Sequence, residues 1–320
     1  MPDGHVESLA DFWEEIEAWR EVHFVELRGE VSSMAVYRGQ SNSSWALQPA
    51  LYRSDLYLEE QNLVADALRL LPHEFQSSSK FQHLAKMQHF GLPTRLLDVT
   101  TNPLIALYFA CVGEPGRDGK VFVFPNLPTV TDQNLTVCLV MEFVFRGTWG
   151  RMDVDQLDAD FRAGLGNDNR AKAVHLKSLE TLTVPIQSVL AAHDNERLQA
   201  QSGAFLLCGM EVAGDVPGYQ GKPLINFKPA SLATFSGHPK NPDEVPAGGL
   251  SLVVPAKHKT RLLRQLDRID VNRWRLFPGP EGALQYLRDA YVNAFREGGL
   301  AATVRFQKAA QQGASANTLE

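Results

Sequence analysis

Between Met87 and Cys111 the chain reads MQHFGLPTRLLDVTTNPLIALYFAC, which packs His89, Thr94, Arg95, Asp98 and Thr100 into the residues just ahead of an almost wholly apolar stretch. A polar group buried without a partner costs about 1–3 kcal/mol. So many in so apolar a segment must bond one another or hold a ligand. Two further segments set polar groups at the edge of apolar runs: Tyr37-Arg38-Gly39-Gln40, and the stretch from Glu196 through Arg197 and Gln201 to Phe205. Arg38 has the planar fork that grips a phosphate or carboxylate through paired bonds; the alternative is a strand-end arginine paired with Asp98. Asp98 stands between Leu97 and Val99, where a carboxylate needs a cation or several N–H donors. His89 either caps helix carbonyls or touches a ligand. Arg95 either pairs with a neighbour or touches a ligand, and Gln201 is either a strand-edge amide or a ligand contact. Spacing alone leaves these choices open.

Such residues need elements to aim them. Ser8 followed by Leu9, Phe12, Ile16 and Trp19 predicts a capped amphipathic helix. Met34 to Arg38 reads as a strand with Met34, Val36 and Arg38 on one face and Gly39 as the point where the chain turns away. Helices are expected over Tyr57–Phe75, with Val64, Leu68, Leu71 and Phe75 on one stripe, and over Lys80–Phe90, stopped by Gly91 and Pro93. Arg95–Thr100 alternates as a strand. Asn102 is a suitable N-cap and Pro103 suits the first helical position, so LIALYFACV reads as a buried helix whose first N–H groups would face an anion such as phosphate. Strands are expected at Lys120–Phe124, Val137–Phe145, Ala204–Cys208, Leu224–Lys228 and Leu250–Val254. Helices over Lys257–Asp267 and Glu281–Arg296 close the fold, the second with Leu284, Leu287, Tyr291 and Phe295 in register. Strand and helix do not alternate regularly, so the expected class is α+β, a mixed, largely antiparallel sheet core with flanking helices.

The 320 residues, 44% of them hydrophobic, suffice for a full core. The expected layout is a helical lead-in over 1–30, a main domain over 31–300 and a disordered tail over 301–320, where the sequence turns small and polar. A net charge of −6 and a pI near 5.9 argue against a broad basic surface for nucleic acid. The first residues lack a basic, then apolar, leader, and no run of about 18 apolar residues could span a bilayer. A cytoplasmic protein with no membrane partner is expected. Cys111, Cys138 and Cys208 lie far apart in apolar runs and read as reduced core residues. Phosphate-binding loop, dinucleotide fingerprint, zinc-protease motif and serine elbow are all missing from the sequence, and no metal is expected.

YRGQSNSSWALQPALYR, the MQHF block, NERLQAQSGAF and LFPGPEGALQYL resemble, in that order, the blocks of the FRG domain family, named for a Phe/Tyr-Arg-Gly motif. The resemblance runs from Ser8 to Phe295. One departure is Val99, where the family usually carries Trp, which removes an aromatic contact beside the site. A more distant resemblance is to ADP-ribosyltransferases, which carry an Arg at one strand end, a Ser/Thr pair feeding a short helix, and a Glu on a third strand. Tyr37-Arg38-Gly39 looks like the first, Thr100-Thr101-Asn102 leading into Ala106 and Phe109 like the second, and Gln201 falls where the third would be. The resemblance implies an ADP-ribosyltransferase-like fold with NAD as substrate and a catalytic set of Arg38, Asp98 and Gln201. It implies a binding set of Tyr37, Gln40, His89, Thr94, Arg95, Thr100 and Arg197. Cleaving the nicotinamide bond builds positive charge on the ribose, which a carboxylate stabilises; Gln201 is uncharged, so Asp98 or Glu196 would supply it. Two functional readings follow: an enzyme that transfers or hydrolyses an ADP-ribosyl group, with an unidentified acceptor, or a non-catalytic nucleotide or nucleic-acid binding module using the same pocket. The third and blandest reading makes the polar block a structural network.

Overall fold

A computed structural model describes residues 5–23, 33–53, 55–76, 79–146, 186–190, 196–216, 224–229 and 250–296. The elements run α1 (Leu9–His23), β1 (Ser33–Gln40), α2 (Glu60–Leu70), α3 (Lys80–His89), β2 (Leu96–Thr100), α4 (Pro103–Cys111), β3 (Gly119–Thr131), α5 (Leu135–Arg146) and β4 (Ile186–Leu190). They continue with α6 (Glu196–Ala200), β5 (Gly203–Cys208), β6 (Met210–Val216), β7 (Leu224–Pro229), β8 (Leu250–Val254), α7 (Ala256–Asp267), α8 (Arg273–Leu276) and α9 (Pro280–Arg296). Six strands form one sheet in the order β1-β2-β5-β4-β3-β8, and a further ladder between β1 and β3 closes the pairings on themselves. β3 and β4 run parallel and the other ladders are antiparallel, while β6 and β7 form a separate pair. This is the expected α+β class with a mixed, largely antiparallel sheet.

Strand alternation divides the apolar residues among three cores. Leu96, Phe205 and Leu207 pack outward against Phe81, Leu84 and Met87 of α3 and Val137, Met141 and Val144 of α5. Tyr37, Val121, Val123 and Leu252 pack outward against α1, α4 and α7. The opposite faces, with Val36, Leu97, Val99, Phe122, Phe124 and Leu206, meet one another inside. Helix α4 lies closest to the sheet because glycine permits it. A Cβ at Gly39 would lie 1.9 Å from the Ala106 carbonyl oxygen, and one at Gly119 would lie 2.1 Å from that of Ala110.

Four local expectations are corrected. Val137–Phe145 is not a strand but most of helix α5, in which Val137, Val140, Met141 and Val144 are buried at helical spacing and Asn134 Oδ1 accepts from the Thr136 N–H. The single helix expected over Tyr57–Phe75 is interrupted: α2 ends at Leu70, and Pro72 begins a separate 3-10 turn, Pro72–Phe75. In α9, Leu284 and Tyr291 are 65% and 54% exposed, so the stripe they share does not face the core. A register shift between Met34 and Val36 also interrupts the alternation expected along β1. The tail expected over 301–320 lies outside the described residues.

Candidate functional site

The ladder between β1 and β2 consists of one pair, Tyr37 opposite Thr100. Past it the strands part, and the Arg38 guanidinium reaches across to donate from Nη1 to the Asp98 backbone carbonyl. A cleft of about 590 Å³ opens there, walled by β1, β2, α3 and α6. Arg38, Asp98, Thr100 and Gln201, drawn from three distant stretches of sequence, all line it, as do Tyr37, His89 and Arg197.

The Tyr-Arg-Gly triplet divides its labour across the strand. Tyr37 packs into the core beneath α4, Gly39 admits the backbone of α4, and Arg38 between them faces the cleft. Arg38 Nε is buried with no partner among the described residues. Burial pulls the Arg38 pKa below its ordinary value, against the opposing pull of the Asp98 charge. The Nε end of the guanidinium is thus shielded from water while Nη1 is held by a neutral carbonyl, which leaves it capacity for an anion.

Asp98 is aimed by a relay that begins at Thr94. The Leu96 N–H donates to Thr94 Oγ1 at 3.2 Å, the Thr94 hydroxyl donates to Gln88 Oε1, and Gln88 Nε2 donates to Asp98 Oδ1 at 2.8 Å. Because Thr94 occupies the amide oxygen, the amide NH₂ is the end presented to the carboxylate. Gln88 stands in the last turn of α3, which ends one residue later at His89. Gly91, at φ 96°, lets its own N–H meet the Gln88 carbonyl and that of Leu92 meet the Met87 carbonyl, the double closure expected of a glycine stop. Thr94→Val should cost about 1–3 kcal/mol, because it strips the buried Leu96 N–H of its acceptor and frees the amide to turn. Urea unfolding measures this, and an unchanged midpoint would remove the relay from the account.

Several expected residues lie elsewhere. Arg95 is 1% exposed and bonds Glu60 in two-pronged fashion, Nε to Oε1 at 3.0 Å and Nη2 to Oε2 at 2.6 Å. Burial is the largest influence and would drive its proton off, but the charge and hydrogen bonds of Glu60, joined by Tyr52 and Cys208, together outweigh it and hold the Arg95 pKa above its ordinary value. Arg95 is an internal strut and does not line the cleft. Thr94 is buried and reaches the cleft through Gln88, and Gln40 is buried off the cleft with neither amide atom partnered among the described residues. The Thr100 hydroxyl accepts from the Asn102 N–H and donates to the Gln201 carbonyl at 2.8 Å, tying the end of β2 to the turn before β5. The Gln201 amide donates to the Leu276 carbonyl at 3.0 Å.

The start of α4 is not an open anion site. Pro103 has no N–H, Leu104 donates to Asn102 Oδ1, and Ile105 and Ala106 donate to the Asn102 carbonyl. The cap that made this helix start legible is what fills it.

Sequence reasoning missed Gln82, Lys86 and Gln88, which join His89 on the cleft side of α3. Their helical spacing was the available signal. Lys86 bonds the Glu74 carboxylate at 2.8 Å on the cleft wall. No cluster of metal-ligating residues occurs among the described residues, and no helix there is long and apolar enough to cross a membrane.

Fold and site together define an α+β domain with a polar cleft where two strands of a mixed sheet part. Residues 33–118, which carry the Tyr-Arg-Gly triplet, α3, β2 and α4, match the FRG domain, and the chain carries an FRG domain there. Comparison with curated proteins and with solved structures gives no match.

Proposed function

We propose that the cleft binds a nucleotide of the NAD class and that the protein is an ADP-ribosyltransferase-like enzyme that transfers or hydrolyses the ADP-ribosyl group. The observation that carries this reading is a half-buried Arg38 guanidinium, bonded among the described residues to the Asp98 carbonyl with Nε buried and unpartnered, in one cleft with the Asp98 carboxylate. In this reading Arg38 takes a phosphate, since its fork matches that geometry and its Nε has no partner among the described residues. Asp98, fixed by Gln88, stabilises the positive charge that builds on the ribose as nicotinamide leaves. Glu196 does not line this cleft, and the Glu74 carboxylate is taken by Lys86, so the role passes to Asp98. Tyr37, His89 and Arg197 complete the binding walls.

A second reading is binding without cleavage. It is favoured by the commitment of the Thr100 hydroxyl and the Gln201 amide to backbone carbonyls. Nicotinamide release and NAD affinity of the purified protein separate the two. In the enzyme, Asp98→Asn abolishes release while NAD still binds, and Arg38→Ala weakens binding tenfold or more, the loss of about 1.5–3 kcal/mol expected for a charged hydrogen bond. Binding with no release establishes the second reading, and absence of both sinks the nucleotide assignment.

A further inference from the structure

Two neighbouring helices on the outer face of the sheet present opposite charges to solvent. α1 and α7 cover the same core, α1 through Phe12, Ile16 and Trp19 and α7 through Leu262 and Leu266, and the Leu9 N–H donates to Gln265 Oε1 at 3.1 Å. The faces opposite those buried residues therefore look out on the same side of the molecule.

On α1 the outward face is acidic. Glu14 and Glu21 stand seven positions apart, two helical turns, on the stripe that points away from the core, with Glu15 on its flank. All three are exposed, and none makes an ion pair or side-chain hydrogen bond among the described residues. Arg20 of the same helix bonds Glu17 instead, at 3.4 Å.

On α7 the outward face is basic. Lys257, Arg261 and Arg268, the last as the helical C-cap, fall within about 40° of one another around the axis and opposite Leu262 and Leu266. These three are also exposed and without an ion pair or side-chain hydrogen bond among the described residues, while Arg264 shares the stripe and has contacts of its own. The one acid in α7, Asp267 at its last position, accepts from the Tyr286 hydroxyl at 3.1 Å.

Arg261 and Arg268 repeat the seven-residue spacing of Glu14 and Glu21, about 10.5 Å along either axis, so two guanidiniums and two carboxylates share one pitch. A phosphate backbone or an anionic membrane that met the basic row would also meet the acidic one, on a chain of net charge −6. A surface with both rows side by side is instead complementary to itself. A twofold axis between the rows sets α1 of one protomer on α7 of its partner and α7 on α1, so the same pairing is made twice.

We infer that this face is the contact of a homodimer, in which the acidic row of α1 meets the basic row of α7 from a second copy of the chain. Exposed ion pairs are individually weak and screened by salt, so the dimer is reversible and salt-sensitive. Neither helix lines the cleft, so assembly is read separately from ligand binding.

Sedimentation equilibrium of the full chain tests it. In about 0.05 M salt the mass should climb from 35.5 kDa to twice that value as the protein approaches about 0.1 mM, and about 0.5 M salt should weaken association at least tenfold. Arg261→Glu/Arg268→Glu should be monomeric, as should Glu14→Lys/Glu21→Lys, each with its melting curve as the folding control. Mixing the two variants should restore the dimer, because both contacts of the mixed pair again join opposite charges. A wild-type mass that stays at 35.5 kDa, a dimer that survives either reversal, or reversed variants that remain monomeric when mixed overturns the contact. So does a mass that keeps climbing past two protomers, which would mean head-to-tail association, or a DNA oligonucleotide that binds the wild type and is lost with Arg261→Glu/Arg268→Glu, which would make the basic row a phosphate contact.

Discussion

Gly39→Ala should unfold the domain or cost it more than about 3 kcal/mol, at or above the top of the range usual for overpacking. The added methyl would lie 1.9 Å from the Ala106 carbonyl oxygen, 2.7 Å from the Ala110 nitrogen and 2.9 Å from the Ala106 carbonyl carbon. All three are backbone atoms of one buried helix, so no rotamer change can clear the space. The helix or the strand must move. Ile105, Leu107, Tyr108 and Cys111 of α4 are buried on its other sides, so its retreat would open gaps in the core beneath α1 and α7. Because Arg38 is the preceding residue, any shift of β1 also displaces the guanidinium from the Asp98 carbonyl. Urea unfolding at equilibrium reads the loss, and a melting temperature within a few degrees of wild type would show that the contact is softer than described.

Glu60→Ala is expected to rival it. Glu60 and Arg95 are each 1% exposed, and the Arg95 guanidinium also lies 3.8 Å from the Met210 sulfur and 5.9 Å from the centre of the Phe143 ring. Removing one member of a buried pair leaves an uncompensated charge, at a cost of about 3–5 kcal/mol, whereas replacing both with apolar residues of similar volume is often neutral. Glu60→Ala should therefore be severely destabilising and the Glu60→Leu/Arg95→Met double variant largely restored. Chemical denaturation of the two single variants and the double gives the comparison. If Arg95→Met is as stable as wild type but loses ligand affinity, Arg95 is a binding residue after all and its position as a strut is mistaken.

The outer frame was legible because it rests on short-range physics. The Ser8 helix start, the glycine stop after α3 and the Asn102-Pro103 start of α4 are each written in a few adjacent residues, and each stands where the sequence places it. The α5 error had a different origin. A run of Val, Leu, Met and Phe satisfies strand composition and helix period at once, and only the Asn134 cap and the length decided between them. Within the site, Arg38 and Asp98 were legible as cleft residues because strand alternation places them at the edge of apolar rows. Arg95 misled because an arginine beside a strand looks alike whether its partner is a ligand or Glu60, 35 positions away. Gln88 was hidden because its importance comes from Thr94, whose hydroxyl decides which end of the amide faces Asp98.

The stretch recognised as the FRG domain ends at residue 118, one position before β3 begins. Within that stretch β1 and β2 share one ladder pair, Tyr37 with Thr100, and the Arg38 bond to the Asp98 carbonyl, while the long ladders that hold them run to β3 and β5. What the family signature marks is therefore the rim of a cleft and not a body able to stand by itself. A fragment cut at the matched boundaries would expose both strands as bare edges, ready to pair with other chains. The unit that is recognised is smaller than the unit that folds, and the borders of any working fragment must be drawn from strand partnership.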